Sequence, residues 1–316
     1  MDKRKLFHIL GYLLLALVIY YSVDFDSFVE YLGKFSLPVA IILILAATID
    51  RFTMAAKWMH LCSALKMTTG FYQFLKIYYV ASFLSYCLPT SIGGEVYKAA
   101  RLSRTENSHD VLASMFVEKI VGIFSTVSFA WAGVLYITFN LSSENSSTLF
   151  YILVGCTFAA ISLTWLSLHP VAQGTTIRLL GKFRLAKYIE KLAEAYSGYK
   201  NHPGILIQNF FIALFETALQ LSIMCGVALA MDIDIALPLI ASIIAVTEFI
   251  RRVAIILDGW GLATALQIFM YSLIGITAEH ALLIALLSHA VHFSASLPGG
   301  LIMLTDRWDK PQPKSA

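Results

Sequence analysis

The feature that most limits how this chain can fold is a series of apolar segments, each about long enough to cross a lipid bilayer. A transmembrane helix needs about 20 mainly apolar residues. Such segments occur at residues 6–23, 37–58, 111–139, 149–168, 205–231 and 280–304. With 58% hydrophobic and only 14% charged residues, the chain cannot cover a core of this size with a polar shell. We therefore predict an all-α polytopic membrane protein with about six full spans.

Two further apolar stretches, 71–103 and 237–275, are interrupted near their middles. The first interruption is the sequence LPTSIGGE at 88–95, and the second is DGWG at 258–261. Proline and glycine clusters at membrane depth are typical of broken helices or re-entrant turns. We therefore predict a broken or re-entrant helix pair in each stretch. For the second stretch, two full crossings remain an alternative.

The distribution of lysine and arginine predicts the orientation, because basic loops stay on the cytoplasmic side. The loops expected outside, 24–36, 140–148 and 232–236, hold a single lysine between them. The first apolar segment is expected to remain as an uncleaved helix. The protein is expected in the cell (inner) membrane, with both termini in the cytoplasm. The basic segments expected inside are residues 2–5, 57–76, 98–104, 170–204 and the C-terminal tail.

A single membrane domain is predicted over residues 1–316, and it contains a repeated pattern. Residues 37–139 read as a span, a hairpin and a span, and residues 205–304 read the same way with inverted orientation. This pattern predicts an inverted-topology repeat. The segment 171–200 between the halves alternates apolar and basic residues at helical spacing. It is either an amphipathic helix on the inner leaflet or a solvated connector.

Charged residues within apolar spans are the candidate substrate-binding groups, because their insertion is costly. Glu95, Lys98 and Arg101 recur at i, i+3 and i+6 and would share one helix face. They follow Gly93-Gly94, where exposed backbone N–H groups at a helix N-terminus would suit an anion. Glu118 would neutralise Lys98 or Arg101. The alternative is a set of ion pairs that only lets polar residues sit in the membrane.

A second group of candidates lies at the second interruption of the sequence. The helix end at Gly261 would add backbone donors beside the charged residues. The complete predicted set of substrate-binding residues is Gly93, Gly94, Glu95, Lys98, Arg101, Glu118, Lys119, Arg252, Asp258, Gly259 and Gly261.

No enzyme signature is found in the sequence: G-x-S-x-G, H-E-x-x-H and the phosphate-binding G-x-x-x-x-G-K-[ST] are all missing. His289 and His292 share a helix face, but no nearby carboxylate or cysteine in the sequence completes a metal set. Two D-x-D pairs, beginning at Asp24 and Asp232, fall in predicted outside loops, where a nucleotide sugar is scarce. We expect no catalytic residues, no metal and no cofactor.

The two glycine-containing turns resemble the membrane domain of the lysylphosphatidylglycerol synthase/flippase family and related integral membrane proteins. The resemblance covers nearly the whole chain, but the glutamate that often follows the family's second turn is missing from Leu262-Ala263-Thr264-Ala265. The segments that carry it are Leu88–Leu102, Ala113–Gly122, Asp258–Leu262 and Ser296–Leu301.

The resemblance implies a lipid translocase that moves an anionic or phosphate-bearing lipid or lipid-linked precursor between leaflets. Because the family's cytosolic aminoacyl-transfer domain is missing from this sequence, aminoacylation is not expected. The implied partner is a phospholipid or lipid-linked phosphate, not nucleic acid, with a second copy or a biosynthetic enzyme as a further partner. The alternatives are a membrane-embedded transferase or an accessory protein for polyprenyl-phosphate-linked substrates.

Overall fold

The protein is helical throughout the part that the computed structural model describes. Described are residues 30, 33–87, 92–140, 150–151, 153–155, 157–158, 161–162, 198–199, 201–231, 236–253 and 260–305. The helices are α1 (Leu37–Ala64), α2 (Phe71–Cys87), α3 (Ile92–Leu102), α4 (Ser108–Asn140), α5 (Pro203–Ala230), α6 (Leu237–Val253), α7 (Trp260–Ser272) and α8 (Ala278–Thr305).

Four of these helices, α1, α4, α5 and α8, are long and apolar enough to cross a membrane. Their large apolar side chains are not all covered by protein: Leu37, Phe139 and Leu304 are 73%, 84% and 84% exposed. Exposing such an apolar surface to water is unfavourable in free energy, whereas contact with lipid chains is not. The prediction of an all-α polytopic membrane protein is therefore confirmed.

The predicted spans correspond to helices wherever the structure describes them. The span predicted at 37–58 continues to Ala64, because the polar residues near its end lie within α1 rather than in a loop. The described parts of 149–168 are helical, and Trp131 of α4 donates to the Thr157 hydroxyl over 3.2 Å. The predicted segment 6–23, most of the connector 171–200 and the two termini lie outside the described residues.

Both interrupted stretches are pairs of short helices, as predicted. The first breaks between α2 and α3, and the second breaks between α6 and α7. These helices have 17, 11, 17 and 13 residues, or lengths of about 25, 16, 25 and 20 Å. A hydrocarbon core is about 30 Å thick, so each helix is too short for an upright crossing.

Glu106 fixes the topology of the first pair by joining two loops. Its carboxylate accepts from the backbone N–H groups of Thr68 and Thr69, over 2.9 and 2.8 Å, and from the Thr69 hydroxyl over 2.6 Å. The loop before α2 is therefore tied to the loop after α3. Because the pair enters and leaves at the same end, α2 and α3 form a helical hairpin.

Two glycines let neighbouring helices approach the backbone of α2. A Cβ added to Gly94 of α3 would collide with the Ala81 carbonyl and the Ser85 hydroxyl of α2. A Cβ added to Gly299 of α8 would collide with the carbonyl of Tyr79. Small residues that allow close backbone approach are a common basis of helix packing in membranes.

The chain divides into two compact units, each of which contains one pair of short helices. The α2–α3 unit consists of 48–121, 162–213 and 295–316, and the α6–α7 unit consists of 1–47, 122–161 and 214–294. Helices of 28, 17, 11 and 33 residues are followed by helices of 28, 17, 13 and 28 residues. The inverted-topology repeat, with halves at 37–139 and 205–304, stays a prediction.

The hairpin topology predicts that cysteines placed at Thr68 and Arg104 are labelled from the same side of the membrane. In a cysteine-free background, an impermeant maleimide should reach both positions in inverted vesicles and neither in intact cells. A cysteine at Ser143, in a loop predicted to lie outside, should give the reverse pattern. Labelling of the first two positions from opposite sides would contradict the hairpin.

The close approach at Gly94 predicts that Gly94→Ala destabilises the protein by about 1–3 kcal/mol, because backbone atoms of α2 would have to move. Gly70→Ala is the matched control, since a Cβ at Gly70 meets no atom within 4 Å. Thermal unfolding in detergent should show a lower midpoint for the first variant only. Equal midpoints would contradict the close packing.

Candidate functional site

A carboxylate at the centre of the α2–α3 unit holds together side chains from four helices. Glu118 of α4 lies 3.8 Å from the Nζ of Lys57 on α1 and 3.5 Å from the Nζ of Lys98 on α3. Tyr78 of α2 donates its hydroxyl to the same carboxylate. Glu118 therefore forms ion pairs with two ammonium groups and accepts a hydrogen bond from one phenol. We call these four side chains the Glu118 cluster.

Glu95 extends this cluster along α3. Its two carboxylate oxygens lie 3.2 Å from the Nζ of Lys98 and 3.3 Å from the Nζ of Lys119. The spacing between Glu95 and Lys98 predicted that both lie on one face of a helix, and the structure places them so. Lys98 thus lies between two carboxylates, Glu95 one turn earlier on α3 and Glu118 on α4.

Burial decreases along the cluster from one end to the other. Lys57, Lys98 and Glu118 are 3%, 5% and 6% exposed, whereas the side chains of Glu95 and Lys119 are 31% and 61% exposed. Three lysines and two glutamates give these five residues a net charge of +1. The cluster therefore combines a buried centre with an accessible edge and an excess of positive charge, which suits an anion.

Aromatic rings fix the position of the Lys98 ammonium group. Its Nζ lies 4.6 Å from the ring centroid of Tyr78 and 5.3 Å from that of Trp58, within the range of cation–π attraction. The Trp58 indole is itself anchored by donation to the Ser114 hydroxyl over 3.0 Å. Lys98 is therefore held by rings and carboxylates together.

The backbone of α1 is anchored at the turn that carries Lys57. Asn209 of α5 donates its amide to the Lys57 carbonyl over 2.7 Å. One turn later, the Tyr199 hydroxyl donates to the Leu61 carbonyl over 3.1 Å. These bonds set where the Lys57 side chain begins and so direct it towards Glu118.

The cluster lies well inside the span of α4. Glu118 follows the first residue of α4, Ser108, by ten positions, or about 15 Å along the helix axis. That distance is about half of a 30 Å hydrocarbon core. The loop joined by Glu106 lies just before that helix start. The cluster is therefore expected near the middle of the bilayer.

The structure brings Glu95, Lys98, Glu118 and Lys119 together, but it gives other predicted residues different surroundings. Gly93 and Gly94 belong to the first turn of α3, not to a loop, so Gly94 serves the packing described above. Arg101 lies one turn beyond Lys98 and is partly buried.

The predicted residues of the second interruption belong to the other unit. Arg252 lies in the last turn of α6, and Gly261 lies in the first turn of α7. Asp258 and Gly259 lie outside the described residues. The involvement of all four in substrate binding stays a prediction.

Lys57 and Tyr78 belong to the cluster but were not among the predicted site residues. Lys57 lies where the predicted span 37–58 overlaps the basic cytoplasmic segment predicted at 57–76, so it was counted as a charge of the inner loop. In the structure the helix continues to Ala64, and Lys57 is buried within it. Tyr78 gives no such signal, because it is one of 15 tyrosines in an apolar chain.

A metal site is not formed by the residues that the structure describes: no three histidine, cysteine, aspartate or glutamate side chains converge there. The described chemistry of the cluster is ion pairing and hydrogen bonding.

Comparison with known proteins gives one match that covers most of the chain. A family model described as the lysylphosphatidylglycerol synthase TM region matches residues 8–299. No curated protein and no solved structure matches the chain. The matched range includes every residue of the Glu118 cluster.

The cluster predicts that Glu118→Ala and Lys119→Ala have very different effects on stability. Removing Glu118 leaves two buried ammonium groups without their shared carboxylate, at a cost of about 3–5 kcal/mol. Removing the exposed Lys119 should cost no more than about 1 kcal/mol. Unfolding of both variants in one detergent tests this, and equal losses would show that Glu118 is not the centre of the cluster.

Proposed function

Because the chain belongs to the family of the lysylphosphatidylglycerol synthase transmembrane region, we propose that it moves an anionic, phosphate-bearing lipid or lipid-linked precursor between membrane leaflets. The family match supports a membrane protein related to lipid modification or translocation. The observation that carries the finer proposal is the Glu118 cluster, in which one carboxylate pairs with two buried ammonium groups.

The proposed substrate group is a phosphate, because it would replace a carboxylate in this geometry. Phosphate and carboxylate oxygens are both acceptors for ammonium and phenol donors. A lipid phosphate that approaches Lys57 and Lys98 competes with Glu118 for the same hydrogens. In the empty protein Glu118 occupies the place of the ligand, and it releases the two lysines when the phosphate arrives.

The accessible edge of the cluster provides the first contact for such a head group. Lys119 is mostly exposed and pairs with Glu95, which also contacts Lys98. A phosphate that displaces Glu95 from Lys119 meets Lys98 next. Ion pairs can thus be exchanged one at a time, so that no buried lysine is left without an anion.

The proposal includes the cellular setting. The protein acts in the cell (inner) membrane with both termini in the cytoplasm, because the basic loops favour that orientation. A second copy or a biosynthetic enzyme that supplies the lipid is the proposed protein partner. Transport rather than catalysis is proposed, so no cofactor enters the mechanism.

The competing interpretation is that the cluster only holds helices together, as expected for an accessory protein. The two interpretations differ for a double substitution. Lys98→Gln with Glu118→Gln removes one charge of each sign and keeps the net charge of the cluster. If the charges are only structural, this variant regains stability and function relative to Glu118→Gln, because one buried ammonium group, that of Lys57, rather than two lacks the Glu118 carboxylate. If they bind substrate, it regains stability but stays inactive.

The test is translocation of fluorescent phosphatidylglycerol in proteoliposomes, measured by dithionite quenching, together with thermal stability. We expect the double variant to be more stable than Glu118→Gln and to lose at least nine-tenths of the translocation rate, about 1.4 kcal/mol or more. Lys76→Gln is the matched control, because Lys76 lies in α2 but contacts the Tyr72 ring instead of the cluster. A stable double variant with full activity would end the proposal.

A further inference from the structure

A second polar site lies in the α6–α7 unit, around Arg252. Its Nη2 donates to the Gln220 side-chain oxygen of α5 over 2.8 Å, and its Nη1 donates to the Gly122 carbonyl of α4 over 3.4 Å. Both of these acceptors are neutral. The guanidinium is only partly buried, so a ligand can reach it.

Two described carboxylates of this unit, Glu248 and Glu216, have partners other than Arg252. Glu248 pairs with Arg251, the neighbour of Arg252, over 2.5 Å. Glu216 accepts from the Gln220 amide over 3.3 Å, so it orients the side chain that holds Arg252 without pairing with Arg252 itself. Among the residues that the structure describes, no carboxylate oxygen lies within 4.0 Å of the Arg252 guanidinium.

The Arg252 guanidinium lies against Gly122, which leaves room for it because glycine has no side chain. A Cβ added to Gly122 would lie 2.9 Å from the Arg252 Nη1. Gly122 and Gln220 lie 14 and 17 positions into helices of 33 and 28 residues, far from either helix end. The guanidinium is therefore seated at the middle of two spans, where a cation without an anion is costly.

We propose that Arg252, oriented by Gln220 and by the Gly122 carbonyl, forms a second anion site that binds a phosphate group. A guanidinium carries five N–H donors, and two are used by the bonds above, so three remain for a ligand. Its planar donor pairs match two phosphate oxygens at once. The assignment of a lipid as the source of this phosphate rests on the proposed function, whereas the ability to bind phosphate does not.

Arg252 also lies in the last turn of α6, where the helix dipole favours a cation. A purely structural arginine would hold α4, α5 and α6 together and bind nothing. The two possibilities differ in the response to a ligand, so binding has to be measured beside stability.

The experiment uses the full chain in phosphatidylcholine nanodiscs and titrates it with dioctanoyl phosphatidylglycerol or with inorganic phosphate. It is performed in the wild type and in the Lys98→Gln/Glu118→Gln background, where binding at the Glu118 cluster is removed. In that background we expect Arg252→Gln to weaken binding of the lipid at least tenfold, or about 1.4 kcal/mol. Arg252→Lys keeps the charge but not the planar donors, so its affinity for the lipid should lie between those of Arg252 and Arg252→Gln.

Two glycine variants separate ligand binding from packing damage. Gly122→Ala shifts the guanidinium without changing any charge and should weaken binding, although by less than Arg252→Gln does. Gly133→Ala is the matched control, because the atoms nearest to its Cβ would belong to the Ser242 backbone and side chain of α6 and not to Arg252. It should lower stability and leave the affinity unchanged.

A loss of affinity in Arg252→Gln supports the site, whichever titrant shows it. If only the lipid loses affinity, the site binds a lipid. If inorganic phosphate also loses affinity, the site binds the phosphate group itself. Unchanged affinity of Arg252→Gln for both titrants would overturn the proposal, as would equal affinity losses in the two glycine variants. A failure of translocation through the Glu118 cluster would leave this binding result standing, so the two proposals are tested separately.

Discussion

A lysine or glutamate inside a bilayer must find its counter-charge within the protein, and the arrangement of the first four helices follows from that requirement. Glu118 is the shared partner: it forms ion pairs with ammonium groups of α1 and α3 and accepts a hydrogen bond from a hydroxyl of α2. If any one of these helices moved away, a buried charge or hydroxyl would lose its partner. The cluster thus specifies where four helices meet, as general apolar packing against lipid cannot.

Much of the fold follows from physical rules that act along short stretches of sequence. Length and apolarity identify α1, α4, α5 and α8, and the proline and glycine clusters identify the two breaks. The exact ends of the helices do not follow from these rules, because a charged residue buried within a helix has the same sequence signal as a polar residue that ends it. Lys57 shows this: in the sequence it resembles the start of a loop, but a carboxylate 61 positions later keeps it inside the helix.

The candidate site was predictable in its local part and not in its long-range part. Glu95 and Lys98 are three residues apart, so helical geometry alone places them on one face. The partnership of Lys57, Tyr78 and Glu118 depends on how α1, α2 and α4 pack, and no local spacing encodes it. The close packing of Gly94 against α2 was not predictable either, because a glycine needed for close packing has the same sequence signal as a glycine needed for a turn.

The contact between Gly299 and the backbone of α2 has a consequence for how the protein is made. Roughly 220 residues separate Tyr79 from Gly299, and synthesis at about 5–20 residues per second takes roughly 10–45 s to cover them. During that time the hairpin is already in the membrane, but the helix that packs on its second face has not been synthesised. Until α8 has been synthesised, the backbone surface of α2 around Tyr79 is therefore covered by lipid or by the translocation machinery instead of by its final partner in the fold.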